Sequence, residues 1–393
     1  MTTTTLRAES ALHDDTAAAM LDAYREAVVA LLGRFKAERR SPAEISRLTV
    51  TSPGGCLDPC DPACDRLWRE VFGGFKPVEF MTESASAPRV TLTLALDQGA
   101  TASPRDEPVW HGLTPAEVNA AYSARAAVPD HLDIFARWRK AGERFLAAHE
   151  VQQDQAYGDA PEQCLDFFPA SRPDVPLLVF IHGGYWQAMD KAEHAPLIEG
   201  HLDAGWAVAL LNYRLCPEAT ITDQVEDVRL ALRHLWHRAE RYGVDRSRIQ
   251  VCGHSAGGHL GACLASTDWP ALDPAMPAAP LHSALLVSGL FELEPMRHMS
   301  FSHLLGLPDA DTARALSPMF DTPNPGLRLH LAVGAQESEE FYWQSRALAE
   351  RWGADLEGIA VSRVPGTHHF SVMETLADGE LLAASRALMA PRG

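Results

Sequence analysis

The sequence has no apolar run of about 18 or more residues, the length a bilayer-spanning helix needs, so no transmembrane helix is expected. Its opening residues, Met-Thr-Thr-Thr-Thr-Leu-Arg, lack a basic stretch followed by an apolar one, so no secretory signal is expected either. Positive charge is scarce: 34 Lys and Arg stand against 52 Asp and Glu, a net charge of −18. A field of that sign repels phosphate backbones and anionic lipid surfaces, so nucleic acid and membrane are not expected partners. No internal repeat or heptad run is visible. The seven cysteines are an odd number, and Cys164, Cys216, Cys252 and Cys263 are scattered through apolar segments, which suits reduced thiols in a cytoplasmic protein. Cys56, Cys60 and Cys64 keep a four-residue spacing, but they sit in a stretch rich in Pro, Gly and Asp. They lack the tight C-x-x-C turn and a fourth ligand, so they read as incidental thiols of a loop and no metal is expected.

What is present is ordinary core material. Of 393 residues, 46 % are hydrophobic and 22 % charged, enough to exclude a mainly disordered chain. Met20, Leu21, Tyr24, Val28, Leu31, Leu32 and Phe35 recur at helical spacing and predict a helix from about residue 18 to 38, after a polar, frayed segment at 1–17. Leu48 to Thr51 is β-prone, Asp65 to Phe72 reads as a short helix, and residues 89–96 alternate as a strand with one buried face. These make a small α+β unit over 1–97. The Gly, Ser, Pro and charge of 98–108 read as a linker.

From 109 to 393 the pattern changes. Apolar runs at 177–181, 207–211, 249–252, 284–287, 327–333 and 359–364 alternate with helical stretches such as 224–241 and 339–352. Alternation of this kind predicts an α/β fold, a mostly parallel sheet with helices on both faces.

Two motifs carry chemistry. Gly253-His254-Ser255-Ala256-Gly257 stands between a β-run and a small-residue helix, the context of a nucleophile elbow. The flanking glycines admit a turn too tight for side chains, leaving the Ser255 hydroxyl exposed. About 70 residues earlier, His182-Gly183-Gly184-Tyr185-Trp186 follows another strand. There the bare backbone can offer N–H groups to an oxyanion, with Gly183, Gly184 and Ala256 as the candidate donors. A serine hydroxyl needs a base, and in this chain order the acid and then the histidine follow the serine. Val364-Pro365-Gly366-Thr367-His368-His369-Phe370 supplies the base, with His369 chosen and His368 its rival. Glu337, where the turn after the 327–333 strand begins, is the candidate acid, its task being to orient and stabilise the imidazolium.

These residues resemble the kynurenine formamidase (arylformamidase) family of α/β-hydrolases. The resemblance rests on H-G-G-Y-W at 182–186, N-Y-R-L-C-P at 212–217, G-H-S-A-G-G-H-L at 253–260 and S-G-L-F-E-L-E-P at 288–295. It also draws on the stretch from Tyr122 to Trp138 and on Tyr157-Gly158, and covers about 109–393. It implies the α/β-hydrolase fold, a triad of Ser255, His369 and Glu337, and cleavage of an aryl formamide such as N-formylkynurenine, with other amides, carbamates and esters as the alternative and a non-catalytic binding protein as a third. The family usually has Asp where this chain has Glu337. The N-terminal unit resembles the C-terminal part of a reactive-intermediate deaminase (RidA-like) domain. The opening strands of that fold and its carboxylate-binding arginine have no match, Glu79 lying near the arginine's place, so the expectation is docking or homo-oligomerisation without deaminase activity.

The expected partner is a small-molecule amide or ester, and side chains and backbone amides suffice without cofactor. His182, Tyr185, Trp186 and His254 are candidate pocket residues, with one of Tyr185 and Trp186 facing substrate and the other the core. Phe291, Met296, His298, Met299, Phe301 and Leu304 form either a lid or a satellite core cluster.

Overall fold

The computed structural model describes residues 3–11, 17–37, 45–53, 57, 64, 67–68, 79–85, 89–97, 108–356 and 358–390. The chain divides into two compact units, Met1–Thr114 and Pro115–Gly393.

Among its described residues, the first unit has a four-stranded sheet and the long helix Ala17–Ala37. Its strands are β1 (Thr3–Ala11), β2 (Ile45–Pro53), β3 (Glu79–Ala85) and β4 (Arg89–Asp97), in the order β1-β4-β2-β3. The helix Ala17–Ala37 buries Tyr24, Ala27, Val28 and Leu31, and the strands bury Leu6, Ala8, Leu48, Val50, Val90, Leu92 and Leu94. The expected fraying at 1–17 is corrected for residues 3–11. β1 pairs antiparallel with β4 over its whole length, from Thr3 against Asp97 to Ala11 against Arg89. Pairing supplies the hydrogen bonds that so polar a segment does not advertise. β3 was likewise not foreseen; it runs parallel to β2. Most of the expected 65–72 helix and of the 98–108 linker, with Cys56 and Cys60, lie outside the described residues; Cys64 is buried.

The second unit is built on an eight-stranded sheet, ordered β12-β11-β10-β9-β7-β8-β6-β5. β5 (Gln152–Ala156) and β6 (Cys164–Phe168) are antiparallel additions at one edge. The six strands β7 (Val175–Ile181), β8 (Ala207–Leu211), β9 (Val244–His254), β10 (Ser283–Val287), β11 (Arg328–Gly334) and β12 (Ile359–Val364) are mutually parallel. All of β8 and β10 is buried, as covering on both faces requires. The helix Ile221–His237 shows how the cover is made: a reciprocal Thr220–Asp223 capping box starts it, and Ile221, Val225, Val228, Leu232 and Leu235 face inward. β6 was missed because Asp166 interrupts its apolar run. That carboxylate is buried beside the Lys191 ammonium at 3.2 Å and accepts the Asp154 amide at 2.8 Å. Because the central strands are parallel, their C-terminal ends lie along one edge, and the His182–Gly184 turn, Ser255, Glu337 and His369 each follow one of those ends.

Candidate active site

Ser255 follows β9 and directly precedes the helix Ala256–Ala265. Its backbone is at φ 55°, ψ −117°, a region that a non-glycine residue enters only when its surroundings force it. The forcing is steric. A Cβ on Gly253 would lie 2.1 Å from the Gly257 carbonyl oxygen, and one on Gly257 would lie 2.1 Å from that of Ile181 at the end of β7. The Ser255 amide donates to the Val287 carbonyl at 2.8 Å, tying the turn to the end of β10. Ala256 is the first residue of the helix, where amides have no acceptor within the helix.

The His182–Gly183–Gly184 turn leaves β7 beside this serine. A Cβ on Gly183 would come 3.1 Å from the Ser255 Cβ, so only glycine brings the two backbones this close. Among the described residues, the Gly183 and Gly184 amides donate to no protein acceptor. The turn is held from behind: the His182 Nδ1 donates to the Gly183 carbonyl at 2.8 Å, and the Tyr213 hydroxyl donates to the His182 carbonyl at 2.9 Å.

His369 meets Glu337 across the ends of β11 and β12. Its Nδ1 donates to the Glu337 Oε2 at 2.5 Å, with the two side chains 5 % and 2 % exposed. The other carboxylate oxygen, Oε1, accepts the Gly334 amide at 2.7 Å and the Ser288 hydroxyl at 2.6 Å. His368 is occupied elsewhere: its Nδ1 accepts the amides of Phe370 and Ser371, each at 3.2 Å, at the start of the helix Ser371–Asp378.

Ser255 and His369 line one cavity, together with Gly183, Gly184, Tyr185 and His254. His254 is buried, and its Nε2 donates to the His369 carbonyl at 2.9 Å. Burial, helped by the neighbouring His369 ring, holds the His254 imidazole well below its usual pKa and therefore neutral. The remaining walls are Ala124, Arg125, Phe135, Trp138, Met189, His194 and Phe370. Burial pushes the His194 pKa down to about 3, so this ring too is uncharged.

Two expected pocket residues are elsewhere. Trp186 has no exposed surface; its indole N–H donates to the His259 Nδ1 at 3.3 Å in the core. His182 stacks on Tyr213 behind the turn, ring centroids 4.5 Å apart, and does not line the cavity. Of the aromatic pair it is Tyr185 that faces the cavity, its hydroxyl donating to the Tyr122 carbonyl. The stretch read as lid or cluster is a cluster: Phe291, Met296 and Met299 are buried, and Phe301 backs Tyr185 edge-on at 4.9 Å. The walls from Arg125 to Trp138 and His194 were missed as site residues. The Tyr122–Trp138 stretch had stood out as a motif, but nothing local says that it faces Ser255.

Comparison with known proteins now has a geometry to bear on. A solved structure from Silicibacter sp., provisionally named a thioesterase, is 32 % identical, with a TM-score of 0.60, and the match covers 69 % of this chain and 99 % of that one. The chain belongs to the α/β-hydrolases. Residues 165–278 of this hydrolase match the BD-FAE family. Its sequence is similar to the kynurenine formamidases of Danio rerio, 28 % identical over 70 % of this chain and 95 % of that one, and of Salmo salar, 26 % identical over 68 % and 90 %. This α/β-hydrolase is thus kynurenine formamidase-like over most of its length. Among the described residues no helix is long and apolar enough to cross a membrane, and no group of His, Cys, Asp and Glu is arranged to hold a metal ion.

Proposed function

We propose that this α/β-hydrolase cleaves the C–N bond of an aryl formamide such as N-formylkynurenine, releasing formate and the free amine. The observation that carries the reading is the convergence of Ser255, His369 and the Gly183–Gly184 turn on one cavity, with His369 bonded to the buried Glu337. Ser255 attacks the formyl carbon while His369, through Nε2, takes the hydroxyl proton. The tetrahedral oxyanion is received by the amides of Gly183, Gly184 and Ala256. His369 then gives the proton to the leaving nitrogen, the C–N bond breaks, and water repeats the cycle on the formyl-enzyme. Glu337 keeps the Nδ1–H tautomer and stabilises the imidazolium.

The walls support an aryl substrate. Phe135, Trp138, Tyr185 and Phe370 offer ring faces and edges for stacking. The Arg125 side chain, whose guanidinium carbon lies 5.9 Å from the Phe135 ring centre, brings a cation to the same cavity. A cation there suits a substrate that carries a carboxylate. Similarity to the kynurenine formamidases supports the same choice. A second reading, hydrolysis of an ester or thioester, is favoured by the provisional name of the Silicibacter relative. Formate release from N-formylkynurenine, measured beside hydrolysis of short aryl esters and acyl thioesters, separates the two. Turnover of the esters or thioesters alone would reject the formamide assignment.

A further inference from the structure

We propose that Ser288 is a positioning residue for the acid, and that the end of β10 is the point at which both the nucleophile and the acid are anchored. The inference rests on the serine-hydrolase reading above and goes beyond it, because Ser288 does not line the cavity.

Ser288 is the residue directly after β10, fully buried, with a backbone φ of 50°. A non-glycine residue at positive φ is strained and persists where the surrounding structure holds it there. Here the side chain has one visible employment: its hydroxyl donates to the Glu337 Oε1 at 2.6 Å. Its amide donates to the Ala332 carbonyl of β11 at 2.7 Å, which fixes the hydroxyl relative to the strand that leads to the acid. One residue earlier, the Val287 carbonyl accepts the Ser255 amide at 2.8 Å. One residue later, Gly289 lies against the nucleophile helix, where a Cβ on Gly258 would come 2.9 Å from the Gly289 Cα. Three consecutive residues therefore hold the serine turn, the acid and the first turn of the helix in one frame.

Glutamate makes such an anchor necessary. Its side chain has one more rotatable bond than aspartate, and the carboxylate must be held in one orientation for Oε2 to face His369. The Gly334 amide alone would leave Oε1 free to swing about a single hydrogen bond; Ser288 adds a second donor from just beyond the end of β10.

The test uses the full chain and an aryl acetate ester, with Ser288→Gly, Glu337→Gln and the double variant. Glycine removes the hydroxyl and relaxes the positive φ, so the melting temperature of Ser288→Gly stays equal or rises. Its kcat falls about 10- to 100-fold, the range for a lost hydrogen bond to a charged group, with KM within about twofold. The acidic limb of its pH–rate profile moves upward, because a carboxylate stripped of a donor holds the imidazolium proton more tightly. In the Glu337→Gln background the same change costs nothing further, as for residues acting through one group. Wild-type kcat in Ser288→Gly, beside a crippled Glu337→Gln, overturns the proposal and leaves the hydrolase reading standing. An equal loss in both backgrounds, or a fall in melting temperature that accounts for the lost activity, also overturns it. Full activity in Glu337→Gln removes the triad reading and this proposal together.

Discussion

The turn that carries Ser255 and the turn that carries Glu337 solve the same problem by different physics. The serine turn is held by exclusion: backbone lies 2.1 Å from where a Cβ of Gly253 or Gly257 would be, so one conformation survives. The acid turn is held by attraction: three hydrogen bonds to one carboxylate, from Gly334, Ser288 and His369, set its direction. Steric exclusion tolerates no added atom, whereas a hydrogen-bonded arrangement loses strength by steps as donors are removed. Flanking side chains follow the same division. The serine side is lined by neutral His254 and His194, and the acid side by polar donors to a carboxylate.

The largest effect should come from Ser255→Ala, which removes the nucleophile and should lower kcat/KM about 10⁴-fold or more while leaving the melting temperature nearly unchanged. Retained turnover of both formamide and ester would end the serine assignment. Glu337→Gln should cost about 10³-fold in kcat with a small change in KM, since the base loses its orienting partner. Gly257→Ala tests the steric side: the added carbon meets the Ile181 carbonyl, and destabilisation of about 3 kcal/mol or more should appear in denaturant titration. A variant as stable as the parent would show that the elbow has room to move. Arg125→Ala should raise KM about tenfold for N-formylkynurenine and leave a neutral aryl ester unaffected. An equal rise for both substrates would make Arg125 a packing residue.

The mildest effect is that of pH near neutrality. Burial lowers the folded-state pKa of His194 to about 3 and of His201 and His259 to about 4, against about 6.5 in the unfolded chain. Between those values the unfolded state binds more protons, so stability is full above about pH 7 and declines as pH falls toward 4. Melting temperatures should drop by a few degrees from pH 7.5 to 6.5 and more steeply below. A flat profile down to pH 5 would mean that these rings are not held neutral.

How much was legible depended on how local the cause was. β7, β8 and β10 could be read because strands covered on both faces are continuous apolar runs. β5, Gln-Gln-Asp-Gln-Ala, is an exposed edge that owes its conformation to β6, and no pattern in its own residues records that. β1 is similar, with Leu6 and Ala8 its buried residues on a threonine- and charge-bearing strand. In the site, Ser255, Glu337 and the His368–His369 pair were located by strand ends and chain order. Tyr185 and Trp186 could not be separated, since both have positive φ and adjacent positions, and only the packing around the turn sends one to the cavity and the other to His259.

By itself, then, the sequence determined the parallel hydrolase sheet, the two glycine-bearing turns and the order of Ser255, Glu337 and the His368–His369 pair along the chain. Those are consequences of short-range sterics and apolar periodicity, which a few neighbouring residues specify. Which histidine meets Glu337, which aromatic ring walls the cavity, and the part of Ser288 were decided only by tertiary structure. A side chain's direction and its hydrogen-bond partner depend on strands far apart in sequence, and no local pattern carries that information.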